Sequence, residues 1–326
     1  MPEGRSPAAP SAEGPPAQQG VEGFGDRLSS RVAARSSQVL LGLDPDPARL
    51  WPGARELSVE RQDGSPAAGA ALAVVAHCGL VIDAVGEHCV GVKLQLACFE
   101  RLGAPGWAAL TEVAQRARDR GLLVVADAKR GDIDVSAAAY AQAFLGATET
   151  PFGRVEGLGA DAMTVNPLLG ADSLAPMVAC AREHRRGLFV LVRTSNPGAC
   201  DLQGLELMRG GSVSDRLATV VSRLGAPGVG RAGLADVGAV VGATASGSLR
   251  QLRERMPNAI FLLPGVGAQG GRVENLAPAF VPGRAGGLLA VSRGIVNAYE
   301  HTGEAPALAA GREAARLREL VWELAS

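Results

Sequence analysis

Asp127, Lys129 and Asp132 stand in an Asp-x-Lys-x-x-Asp cluster at the end of a short apolar run that begins at Val124. Side chains on a strand alternate with period 2, so Asp127 and Lys129 leave the strand on one side, a carboxylate beside an ammonium. Gly131 lets the backbone turn just beyond them, and Asp132 follows that turn, free to face this site or a neighbouring subunit. Placing such charges where an apolar strand emerges costs desolvation free energy, which concentrates these clusters at sites of chemistry; a structural ion pair would have the same composition. Lysine usage separates the two readings. Lys93 and Lys129 are the only lysines, so 30 of the 32 basic residues are arginine. Arginine stays protonated, whereas a lysine ammonium shifts its pKa readily and can hand over a proton. Two strand ends therefore retain ammonium chemistry in a chain that otherwise uses arginine.

These ends belong to a repeating pattern. From about Phe24, a short run rich in Val, Leu and Ile, a polar or glycine-containing turn and a longer Ala, Leu and Arg-rich helical stretch recur about eight times. Strands are predicted near 39–44, 90–95, 122–129, 161–167, 187–195, 236–244, 260–267 and 286–293. Helices are predicted near 68–87, 106–120, 136–147, 173–185, 212–224 and 308–324. Continuous apolar strands alternating with helices imply parallel sheet covered on both faces, and eight units in this length point to a single-domain α/β protein, a (β/α)8 TIM barrel over 24–326. A doubly wound sheet is the rival. The barrel is favoured because nearly every strand finishes on a chemically capable group: Asp44, Lys93, Asp127 with Lys129, Asn166, Thr194 with Ser195, Gln269 and Arg293. Thr148 to Gly159 and Gly225 to Gly233 read as loop insertions.

Composition narrows the partners. A formal charge of -1 argues against general attraction to nucleic acid or acidic membranes, and 47% hydrophobic residues with a mean hydropathy of +0.13 describe a soluble globular chain. Five cysteines without a Cys-x-x-Cys pair fit reduced thiols in a cytoplasm, and the four histidines fall on helices or tails as packing or surface groups. No apolar run reaches the roughly 18 residues that span a bilayer. Residues 1–23, rich in Pro, Ala, Gly and Ser, read as a disordered tail without a signal-peptide pattern.

The stretch Pro264 to Gly271 contains Gly-x-Gly-x-x-Gly, yet it follows the seventh strand, and no acidic residue closes the next one. That placement excludes the dinucleotide fingerprint, which belongs to a first βα turn. In a barrel the loops after strands 7 and 8 commonly bind phosphate through glycine N–H groups, and Arg293 adds a bidentate partner for a dianion.

Together these motifs resemble the orotidine 5'-phosphate decarboxylase family, in its longer bacterial form (the type 2 subfamily). The resemblance runs from about Phe24 to the last helix. It rests on Gly42-Leu43-Asp44-Pro45, Val92-Lys93-Leu94-Gln95, Asp127 to Ile133, Thr164-Val165-Asn166-Pro167, Arg193 to Pro197, Pro264 to Gly271 and Ser292-Arg293-Gly294. It implies a cofactor-free, metal-free conversion of orotidine 5'-monophosphate to UMP in pyrimidine biosynthesis, by a cytoplasmic homodimer with shared sites. Lys129 matches the proton donor, and Lys93, Asp127 and Asp132 complete the charge array, with Asp132 entering the partner's site. Asp44 and Lys93 would bind ribose hydroxyls, Ser136 would reach the ribose across the dimer, and Thr194 or Ser195 would meet the pyrimidine. Gly265, Gly267, Gln269, Gly270, Arg293 and Gly294 would hold the phosphate; Gly267 departs from the short bacterial form, which tends to carry arginine there. The rival chemistries are a magnesium-dependent sugar-phosphate decarboxylase of the same superfamily, a Schiff-base aldolase using Lys129, and a barrel that binds a nucleotide without turning it over. Two carboxylates beside Lys129 favour its ammonium form, which opposes the Schiff base.

Overall fold

The computed structural model describes residues 22–59, 64–267 and 270–326. Its strands are β1 (Val39–Leu43), β2 (Gly91–Gln95), β3 (Leu123–Arg130), β4 (Ala147–Thr150), β5 (Gly153–Glu156), β6 (Ala162–Val165), β7 (Gly187–Arg193), β8 (Val237–Val241), β9 (Phe261–Pro264) and β10 (Gly287–Val291). Eight of them close a parallel barrel in the order β1-β10-β9-β8-β7-β6-β3-β2, which decides against the doubly wound sheet. Each predicted strand has its counterpart, generally trimmed by a residue or more at the ends. The six predicted helices appear as Pro66–Val85, Ala104–Asp119, Asp134–Phe144, Ala171–Glu183, Val213–Gly225 and Pro306–Leu324. The insertion expected at Thr148 to Gly159 is not an irregular loop: β4 and β5 pair there as an antiparallel hairpin. Most of the predicted tail, residues 1–21, lies outside the described residues.

Period-2 alternation separates two apolar layers. Leu40, Val90, Leu123, Val125, Ala162, Phe189, Val240, Leu262 and Ala290 point into the barrel, where Phe24, Leu28 and Val32 of the helix Phe24–Arg35 close its lower end. Phe24 meets Phe189 edge-on at 6.1 Å, and a Cβ at Gly187 would lie 2.3 Å from the Phe24 ring. The alternate residues, such as Leu41, Val92, Val124 and Ala126, face the surrounding helices. Stepping up the inward register from this plug leads to Asp44, Lys93, Asp127 and Thr164 at the other mouth.

Among the described residues one helical stretch, Pro66–His88, is long and apolar enough to cross a membrane, with a window of mean hydropathy 1.9 that no uninterrupted apolar run marks. That window is 56% buried in the fold. His77 on this helix accepts the Trp51 N–H through Nδ1 at 3.1 Å, and burial lowers its pKa to about 4; it is a packing residue. Asp83 on the same helix pairs with Arg116 and Arg120 at 2.6 Å each.

Candidate active site

A cavity of about 370 Å³ opens at the carboxyl ends of the barrel strands. Its charged wall is a row of alternating sign. Lys93 Nζ stands 3.8 Å from Asp44 Oδ1 and 2.6 Å from Asp127 Oδ2, and Lys129 Nζ stands 2.6 Å from Asp127 Oδ1. Asp127 is only 6% exposed and receives two further hydrogen bonds, from Gln95 Nε2 at 3.2 Å and from the Thr164 hydroxyl at 2.8 Å. Burial alone would raise its pKa; Lys93 and Lys129 outweigh that and bring it down to about 2. Burial likewise disfavours the Lys93 ammonium, but Asp127 and Asp44 together hold its pKa above the ordinary value. Pairing thus keeps buried Asp127 and Lys93 ionised in a place where either charge alone would be costly.

Asp127 and Lys129 share a side as the alternation requires, but not through an undisturbed strand. The register of β3 against β6 breaks between Ala126 and Arg130, and Lys129 adopts a positive φ of 48°. Gly131, expected to supply the turn, does not take a positive φ; its missing side chain instead clears Asn166, whose carbonyl oxygen would lie 2.7 Å from a Cβ.

The opposite wall is apolar, formed by Leu191, Val240, Leu262 and Ala290, with Ser195 and Asn196 at the rim. Thr194 also lines the cavity, although its hydroxyl is engaged with Asn196 Oδ1 and Gln203. Beyond them Gly265, Arg293 and Gly294 close the end near β9 and β10. Gly267 and Gly270 do not reach the cavity. Both take positive φ, and their N–H groups bind Gly271 and Gly267 carbonyls inside the turn, which leaves them unable to serve as bare phosphate donors in this conformation. Gln269 lies outside the described residues. Asp132 and Ser136 stand away from this cavity, with Asp132 Oδ1 accepting the Ile133 N–H. Asn166, taken from sequence as a strand-end group, caps Leu168 N–H instead.

Gln95 and Thr164 are the contributors that motif spacing missed. Inward parity would have found both: Ala162 faces the barrel, so Thr164 does as well, and Gln95 follows Lys93 by two.

Fold and mouth together define a class: a (β/α)8-barrel enzyme whose site is built from fixed, paired charges. The chain belongs to the orotidine 5'-phosphate decarboxylase / HUMPS family, whose model matches residues 39–308. It is 41% identical over 273 residues to orotidine 5'-phosphate decarboxylase of Deinococcus radiodurans, covering 83% of this chain and 88% of that one. Its counterpart in Haloarcula marismortui is 39% identical over 305 residues, covering 91% and 97%. The structure of Leishmania donovani OMP decarboxylase superposes with a TM-score of 0.68 at 31% identity, over 93% of this chain and 99% of that one. Leishmania donovani UMP synthase matches with a TM-score of 0.69 at 33% identity, and this chain spans 57% of its length.

Proposed function

We propose that this chain decarboxylates orotidine 5'-monophosphate to uridine 5'-monophosphate and carbon dioxide, without a cofactor, in pyrimidine biosynthesis. The observation that carries the reading is the row Asp44, Lys93, Asp127, Lys129, in which two ammonium groups share one buried carboxylate at the edge of a nucleotide-sized cavity. When the bond from C6 to the carboxylate breaks, its electron pair stays on C6 in the ring plane, where the π system cannot delocalise it. Fixed positive charge must stabilise that pair, and preorganised charge is commonly the largest catalytic contribution. Lys129 supplies it and then transfers a proton from Nζ to C6. Asp127 holds Lys129 in place and faces the departing carboxylate. Asp44 and Lys93 take the ribose hydroxyls, Ser195 the pyrimidine edge, and Arg293 with Gly265 and Gly294 the phosphate. Phosphate binding supplies free energy used at the distant reacting carbon.

The working unit in this reading is a cytoplasmic homodimer. Asp132 and Ser136 sit outside the cavity of their own subunit beside exposed apolar residues: Ile133 is 53% exposed, Val135 82% and Leu168 69%. A second copy covering this patch brings Asp132 and Ser136 to its partner's site.

The test is loss of ultraviolet absorbance on mixing the protein with orotidine 5'-monophosphate in EDTA, beside Lys129→Ala. Turnover by the parent and at least a thousandfold less by the variant is the expected result. An inert parent that is folded and dimeric would overturn the assignment.

A further inference from the structure

We infer that Thr164 is a positioning residue for the proton donor, a role that rests on the decarboxylase reading. β3 and β6 pair at Val125 with Ala162 and at Ala126 with Met163, then resume only at Arg130 with Val165. Three residues of β3, Asp127, Ala128 and Lys129, therefore pass opposite the single residue Thr164. Such a bulge leaves backbone groups outside the ladder. The Lys129 N–H is one of them, and it donates to Thr164 Oγ1 at 2.9 Å. The same hydroxyl donates to Asp127 Oδ1 at 2.8 Å, the oxygen that Lys129 Nζ reaches at 2.6 Å.

This geometry leaves the hydroxyl little choice. Because Oγ1 accepts from the Lys129 amide, its own proton is directed to the carboxylate, and at 1% exposure no solvent competes. One side chain thereby ties together the backbone that carries Lys129 and the carboxylate that aims its ammonium. The tie also stabilises an unfavourable conformation, a lysine at φ 48° in the left-handed region that β-carbon sterics disfavour. Without the hydroxyl, the part-buried Lys129 amide loses its partner, and the bulge can relax toward a geometry that moves Nζ. A displacement of about 1 Å at a reacting group costs on the order of a hundredfold in rate.

Two substitutions at Thr164 distinguish positioning from a general role in packing. Thr164→Val keeps the shape and removes both hydrogen bonds, while Thr164→Ser keeps the hydroxyl and loses only a methyl group. We expect kcat for Thr164→Val to fall about a hundredfold with KM within about threefold of the parent, and Thr164→Ser to keep kcat within about fivefold. Thr164→Ala serves as the second hydroxyl-free variant if the valine form does not fold, with the same expected fall in kcat. Parental kcat in the valine or alanine variant overturns the inference, as does an equal loss in the serine variant or a rise in KM that matches the fall in kcat. Failure of the parent to turn over orotidine 5'-monophosphate would instead sink the decarboxylase reading itself.

Discussion

Replacing Asp127 by asparagine removes one charge and almost no volume, and its consequences follow from the row it centres. In the parent, the Asp127 carboxyl is held at about 2 against an ordinary 3.8, which at about 1.4 kcal/mol per pH unit is roughly 2 kcal/mol of native-state stabilisation. That contribution is complete above about pH 4 and is lost as pH falls toward 2. The raised Lys93 contributes below its ordinary 10.5 and loses its contribution only as pH rises beyond that. These two groups therefore leave parental stability flat between about pH 5 and 9. In Asp127→Asn, buried Lys93 keeps only Asp44, 3.8 Å away with a side chain 35% exposed. Breaking a buried pair from one side typically costs about 3–5 kcal/mol, and the remaining Asp44 places the expectation near the lower end, about 3 kcal/mol at pH 7. The sign of the pH dependence also changes. With burial dominant, the Lys93 pKa drops below 10.5, the native state binds fewer protons than the unfolded chain, and stability climbs between pH 7 and 10. Urea unfolding at several pH values reads both effects. A variant within about 1 kcal/mol of the parent at pH 7, or one whose stability stays flat or falls toward pH 10, would refute the account of Lys93 as a cation dependent on Asp127.

Arg293→Ala should raise KM about 10- to 100-fold through loss of a charge-assisted phosphate contact, measurable in the same absorbance assay; an unchanged KM would remove Arg293 from the phosphate site. Arg253 is 5% exposed, donates to the carbonyls of Met256, Ala259, Ala279 and Gly286, and lies 3.7 Å over the Phe261 ring. Arg253→Met removes one donor from each of those carbonyls and should cost at least about 3 kcal/mol in urea unfolding, with parental KM for whatever fraction remains folded. Gly242→Ala would set a Cβ 2.7 Å from Ser195 Cα, so a loss of about 1–3 kcal/mol is expected together with a higher KM as Ser195 shifts; parental values for both would show that the β7 and β8 ends yield freely.

Much of this molecule is decided locally. Eight apolar runs separated by helical stretches specify the barrel because strands covered on both faces leave few other arrangements, and the ends of β1, β2, β3, β7 and β10 supply the wall groups expected of them. The paired lysines were legible because the chain uses arginine everywhere else. Spacing alone misjudged Asn166 against Thr164, since both share the inward parity and only the pairing of β6 shows where the strand stops. It also assigned the strained turn to Gly131, whereas the mismatch between β3 and β6 places the positive φ on Lys129. From sequence the amides of Gly267 and Gly270 look available, but the turn's own hydrogen bonds occupy them. The alternation of strand and helix and the identity of the charged groups are legible in the chain, because periodicity and residue type are local properties. Register and the match of the Thr164 hydroxyl to the Lys129 amide are settled only on folding, because each depends on a partner far away along the chain.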